Sequence, residues 1–237
     1  MSSVLMVLTG SRVWTMKDGT PHPTGFWAEE FTRPHKTFSD AGLDVTIATP
    51  IGRTPVVDPI SLALPFNNND AAAVESHKAY LASMKSRLES PLALSKAKPA
   101  NFDVMFIVGG HGPMQDLAVD PDIGDLIAGF LGDKTKVLAS ICHGQASFLT
   151  AHDDKGQWLF KGRTITAFSN QEETMASFAG NAPWLLEDRL RLAGANYVAK
   201  PAWTPHVITE GNLVTGQQST SAQVTADAVM SLLKVAV

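Results

Sequence analysis

The chain has 237 residues, enough for one large α/β domain or two small ones with a sizeable core. Its 44% hydrophobic and 18% charged residues are ordinary for a globular protein, and a formal net charge of −4 without a basic stripe argues against nucleic acid as a partner. No apolar run approaches the roughly 20 residues of a membrane helix, and a single cysteine excludes an internal disulfide and fits a reducing compartment, so a cytoplasmic location is expected.

In chain order, Val4 to Leu8 is a continuous apolar run, as expected for a strand buried on both faces, and it ends at Thr9 and Gly10. Residues 11–24 are rich in Trp, Gly, Pro and His and read as a loop leaving that strand. Residues 24–33 have helical character, with Trp27 and Phe31 at i, i+4 spacing, and Pro34 is expected to kink or break the helix because it lacks an N–H. A strand follows over 41–48, giving a β-α-β unit with a right-handed crossover. Residues 49–100 carry Pro50, Pro55, Pro59 and Pro65 and then a helix from Ala71 to about Leu88. They lack the apolar residues for a core of their own and read as an insertion over one rim of the sheet, within a single domain spanning 1–237.

Regularity returns with Val104 to Val108, which feeds Gly109-Gly-His-Gly112. A helix over 120–131 begins at Asp120-Pro121, a favourable cap and first-turn pair. Lys136 to Ile141 is a further strand. Further alternation comes from a strand at 164–168, a helix at 183–192 and Tyr197-Val198, then a hairpin about Gly211-Asn212 and a closing helix over 220–235. The pattern is an α/β protein, a mostly parallel sheet between two layers of helices.

Sites in such sheets form beyond the C-terminal ends of the strands, where three features converge: the loop after the first strand, the glycine run at 109–112, and Cys142-His143-Gly144. A strand running into a helix through so tight a turn lifts Cys142 above the sheet and sets its thiol at a helix N-terminus, which favours the thiolate. Taken alone, a lone cysteine is as easily a buried small hydrophobe. Amides at Gly110 or His111, with that of His143, can form an oxyanion hole. Glu29 and Glu30 are adjacent on a helix, so one faces inward and one outward, and an inward carboxyl beside sulfur has its pKa raised. Glu172 or Glu173 could orient His143 as the third member of a triad. Trp14, Trp27 and Trp203 could wall a small pocket, although such residues are more often core. The remaining histidines show no ligand spacing, so no metal is expected.

Ala139 to Gly144, with Gly109 to Gly112 and Gly25 to Glu30, resembles the DJ-1/PfpI superfamily, and within it the heat-shock-chaperone branch that includes glyoxalase III and class I glutamine amidotransferase-like proteins. The resemblance implies a flavodoxin-like three-layer sandwich with an inserted cap segment, commonly a homodimer. It implies Cys142 as nucleophile, His143 beside it, Glu30 as acid or base and Glu173 as third carboxylate, a match better than Glu172. It also implies a cofactor-independent conversion of methylglyoxal, a small reactive aldehyde, to lactate. A cysteine amidase or peptidase, and a non-catalytic stress holdase or redox sensor, are the competing functions.

Overall fold

The computed structural model describes residues 2–235. The chain begins with β1 (Ser3–Val7), followed by β2 (Val13–Thr15), β3 (Pro21–Pro23), α1 (Ala28–Asp40) and β4 (Asp44–Thr49). Residues 50–100 hold several 3-10 turns around α2 (Ala71–Ser83), α3 (Lys85–Leu88) and β5 (Leu92–Ala93). Then come β6 (Val104–Ile107), α4 (Gly112–Gln115), α5 (Pro121–Gly132) and β7 (Val137–Ile141), with a 3-10 run over Cys142–Thr150. The remainder comprises β8 (Thr164–Ile165), α6 (Asn170–Met175), α7 (Leu186–Ala193), β9 (Asn196–Tyr197), β10 (Val207–Glu210), β11 (Leu213–Gly216) and α8 (Ala222–Val235).

Seven strands form one sheet in the order β10-β11-β7-β6-β1-β4-β5, parallel throughout except for the β10–β11 hairpin. The continuous apolar strands alternate between two buried faces. Val4 and Met6 join α1 and α8 through Phe31, Phe38, Ala226 and Val229, while Leu5 and Val7 join the opposite layer through Ile127 and Phe130 of α5 and Leu190 of α7. The centre of the sheet, β1, β6 and β7, therefore ends at one edge with three neighbouring exits, at Leu8, Val108 and Cys142.

Several local expectations are corrected. Residues 11–24 contain the β2–β3 hairpin, Trp14 opposite His22, because two three-residue strands too short to show alternation still pair. Helix α1 runs through Pro34 to Asp40: Pro34 is buried on the core face, and packing there compensates for the hydrogen bond it cannot make to the carbonyl of Glu30. The 71–88 helix is divided at Met84 into α2 and α3. β8 and β9 pair with each other in a separate two-stranded sheet and do not extend the main one. The 49–100 segment does reach the sheet rim, where β5 adds two residue pairs to β4, and Phe26 exchanges backbone hydrogen bonds with Val56 and Asp58. A Cβ on Gly25 would lie 2.0 Å from the carbonyl oxygen of Val56, so this approach requires glycine.

Candidate active site

Cys142 is the first residue after β7 and has φ 61°, a left-handed conformation that costs a non-glycine residue roughly 1–2 kcal/mol. The following turns are 3-10 over Cys142–Thr150, not the α-helix the sequence suggests, and Gly144 lets them pass close beneath the sheet: a Cβ there would lie 2.8 Å from the carbonyl oxygen of Ile107. Gln145, wholly buried, ties this turn down by donating to the carbonyls of Thr166 and Gly216, each at 2.9 Å.

Around the sulfur, His143 Nδ1 lies 3.3 Å from Sγ, and the backbone amides of Gly110 and His143 are near enough to favour its charged form. Glu30, in the first turn of α1, is completely buried: its Oε2 accepts from the amide of Gly109 at 3.0 Å, its Oε1 has no hydrogen-bond partner among the described residues, and the carboxyl lies beside the Cys142 side chain. Glu29 turns outward and pairs with Arg33 at 2.6 Å, dividing the adjacent glutamates between one inward and one outward position as expected. Gly109 is needed for this approach, since a Cβ there would lie 2.6 Å from Glu30 Oε2 and 2.7 Å from Cys142 Cβ. Ser61 of the inserted segment accepts from the amide of Ala28 at 3.1 Å and so fixes the start of α1.

Burial pushes Glu30 up to about 8. It also pushes the Cys142 thiol up, assisted by the charge of Glu30 and opposed by the amides of Gly110 and His143. A helix end was expected to favour the thiolate outright; complete burial outweighs it, because few partners replace the lost water. The two groups are coupled: each one's charge opposes the other's, and when Glu30 is protonated the like charge opposing the thiolate is gone.

Glu173, on α6, meets His143 Nε2 with Oε2 and His111 Nε2 with Oε1, both at 2.7 Å. Burial alone would raise Glu173, but the two imidazoles outweigh it and hold the carboxyl well below the usual range. Burial, then His111, lower the pKa of His143, whose neutral ring donates to Glu173 through Nε2 and turns a bare Nδ1 to the sulfur. Glu172 faces elsewhere: it forms a capping box with Ser169 and accepts from the Trp203 amide and Gln217, each at 3.0 Å. The structure thus brings together Cys142, His143, Glu30, Glu173 and the amide of Gly110.

Above the sulfur is a cavity of about 340 Å³ walled by Trp27, Phe66, Phe168, Phe178 and Trp203. Trp27 and Trp203 line it as expected; Trp14 does not, because its buried ring stacks on His111 at 4.5 Å, behind the site. Three walls had no sequence signal: Phe66 lies in the irregular excursion, and Phe168 and Phe178 flank the separate α6 segment. The imidazole of His111 was also missed, since only its amide suggested a role. His111, His143 and Glu173 offer atoms within 4.8 Å of one another that could ligate a metal, the one such set among the described residues; here each Nε2 is already engaged by a carboxylate oxygen.

The model of the DJ-1/PfpI family matches residues 23–232. The chain is similar to the glutathione-independent glyoxalase HSP31 of Saccharomyces cerevisiae, 30% identical with 98% of each chain covered. It is also similar to the protein/nucleic acid deglycase HchA of Pseudomonas aeruginosa, 28% identical with 90% of this chain and 74% of that protein covered. Among solved structures, glyoxalase III from Candida albicans superimposes with a TM-score of 0.80 at 25% identity, covering 98% of this chain and 97% of that one.

Proposed function

The chain belongs to the DJ-1/PfpI family, and from that premise we propose that it is a cofactor-independent glyoxalase of the glyoxalase III type, converting methylglyoxal or a similar small 2-oxoaldehyde to the 2-hydroxy acid. The observation that carries the proposal is Cys142 on a strained elbow, with His143 Nδ1 at 3.3 Å from sulfur and the buried carboxyl of Glu30 beside it. A protonated Glu30 is what an aldehyde needs at this point, since it can give its proton to the carbonyl oxygen as the thiolate adds.

In the proposed mechanism the Cys142 thiolate bonds to the aldehyde carbon and Glu30 delivers its proton to the carbonyl oxygen, giving a hemithioacetal and a Glu30 carboxylate. That carboxylate takes the proton from the same carbon. The resulting enediolate oxygen is stabilised by the amides of Gly110 and His143, the two backbone donors beside the sulfur. Glu30 returns the proton to the neighbouring carbon, the hydroxyl proton moves between the two oxygens, and a 2-hydroxyacyl thioester remains on Cys142. Hydrolysis releases the acid. Oxidation of the aldehyde carbon balances reduction of the ketone carbon, so the reaction calls on no external redox partner. Glu173 keeps His143 in the tautomer that presents Nδ1 to sulfur.

Purified protein given methylglyoxal without glutathione is expected to form lactate, and Cys142→Ala to form none. Absence of lactate from wild type, or undiminished lactate from Cys142→Ala, contradicts the proposal.

A specific observation supports a second substrate class for the same thiol. The cavity shares Phe66, Trp203 and Ser219 with an open groove of about 1570 Å³ that also carries Glu29, Arg33, Asp70 and His77. An aldehyde carried on a larger polar molecule suits this approach, and turnover of methylglyoxal adducts of amines, set against free methylglyoxal, measures its share. We also read the chain as a single domain with the inserted segment as its cap, acting as a cytosolic homodimer; the one buried thiol without a disulfide partner supports the reducing compartment.

A further inference from the structure

Four titratable side chains line the cavity, Glu30, His111, Cys142 and His143, and the mechanism above uses the side chains of all but His111. Glu173 is held as a carboxylate, which only accepts hydrogen bonds, so the Nε2 of His111, 2.7 Å from Oε1, carries a hydrogen. In the neutral imidazole the other nitrogen is then bare. The Nδ1 of His111 makes no hydrogen bond to any described residue, and His111 lines the cavity.

The ring is also held rigidly. Trp14 stacks on it at 4.5 Å with an interplanar angle of 12°, while His143 and Phe178 lie 4.2 Å and 4.7 Å away. Behind it, Gly112 is pressed against Thr9: a Cβ there would meet the Thr9 side chain at 2.4 Å. A packed, carboxylate-oriented imidazole that lines a reaction cavity and has one nitrogen unengaged has the features of a general base.

The hydrolytic half of the reaction needs such a base. His143 Nδ1 faces the sulfur itself, and Glu30, ionised once its proton is on the substrate carbon, is left to take a proton back at the end of the cycle. We infer that His111 is the general base that activates water against the Cys142 thioester. The water oxygen bonds to the acyl carbon as its proton passes to His111 Nδ1. The carbon–sulfur bond then breaks, its electron pair leaves with Cys142 as thiolate, and the imidazolium proton returns to the Cys142–Glu30 pair. This inference rests on the proposed thioester, but it assigns the two half-reactions to different imidazoles.

The test is His111→Gln, which keeps an N–H donor for Glu173 and removes the base. Rapid-quench measurement with methylglyoxal, read by intact mass, is expected to show a first-turnover acylation rate like wild type. Steady-state lactate formation should fall about 10²–10⁴-fold and a lactoyl group accumulate on Cys142. His111→Ala, which leaves a ring-sized space beside Trp14, is expected to regain deacylation when imidazole is added, and it serves where the Gln variant folds poorly. Unchanged steady-state turnover in His111→Gln with a competent wild type overturns the inference alone. So does an equal fall in both phases without imidazole rescue, which marks a purely structural role. A wild type that makes no lactate overturns the glyoxalase proposal and this inference together.

Discussion

Burying Glu30 beside Cys142 has a cost that can be measured apart from activity. Its folded pKa, pushed up by burial to about 8, exceeds the ordinary value of 4.5, so the unfolded chain ionises first as pH rises. Below about pH 4.5 both states are protonated and no penalty exists; stability is lost progressively as pH climbs to about 8 and the loss is complete above it. The total is on the order of a few kcal/mol. Glu30→Gln, which can still accept from Gly109, is therefore expected to raise Tm by an amount that grows between those pH values, while lowering turnover about 10²–10⁴-fold. Equal Tm gains at both ends of the range would contradict the assignment. Cys142 itself is strained, so Cys142→Gly is expected to be about 1 kcal/mol more stable to urea than the equally inactive Cys142→Ala; equal stabilities would contradict stored strain at the elbow. At this scale the nucleophile, its histidine and the division between Glu29 and Glu30 were legible, because each follows from neighbours in sequence. The imidazole of His111 and the retreat of Trp14 behind it were not: a ring stacked across 96 intervening residues leaves no local pattern.

The central strands could be recognised because burial on both faces demands uninterrupted apolar residues, whereas the short hairpin at 13–23 and the separate β8–β9 pair carry too few residues to show a period. Pro34 misled for a related reason: local propensity registers the missing N–H but not the core against which that face of α1 packs. The loop after β6 shows what its glycines are for. Gly110 has φ 94°, and a Cβ there would lie 2.5 Å from the backbone oxygen of Gly25. Gly110→Ala is thus expected to force the β6 and α1 loops apart, destabilising the protein by more than about 2 kcal/mol and removing one of the two amides that face the sulfur. Chemical denaturation checks the first and iodoacetamide reactivity of Cys142 the second; wild-type values in both would contradict this account of the loop.

For the whole molecule, the informative feature is the segment 49–100, whose attachment to the rim was legible from its proline content and lack of core residues but whose contribution to the site was not. It supplies Ser61, which accepts from the first amide of α1, and Phe66, which meets Trp27 edge-on at 5.6 Å at the boundary between cavity and groove. Phe66 is only half-buried. Phe66→Ala is accordingly expected to raise KM for methylglyoxal several-fold with little change in Tm, and a loss of Tm without a change in KM would assign Phe66 to packing alone. The segment also carries Ile51, a β-branched residue at φ 52° and 79% exposed, far from any role in the site. Ile51→Asn should stabilise the protein by about 1 kcal/mol at unchanged turnover.

All of this depends on one thiol reacting with an aldehyde, and because Cys142 is the chain's only cysteine it can be titrated without ambiguity. Substoichiometric alkylation with iodoacetamide, with the modified fraction counted by intact mass and lactate formation from methylglyoxal measured on each sample, is the direct test. Activity is expected to fall in proportion to the alkylated fraction and to reach zero at full modification. Lactate formation that persists in fully alkylated protein would contradict it.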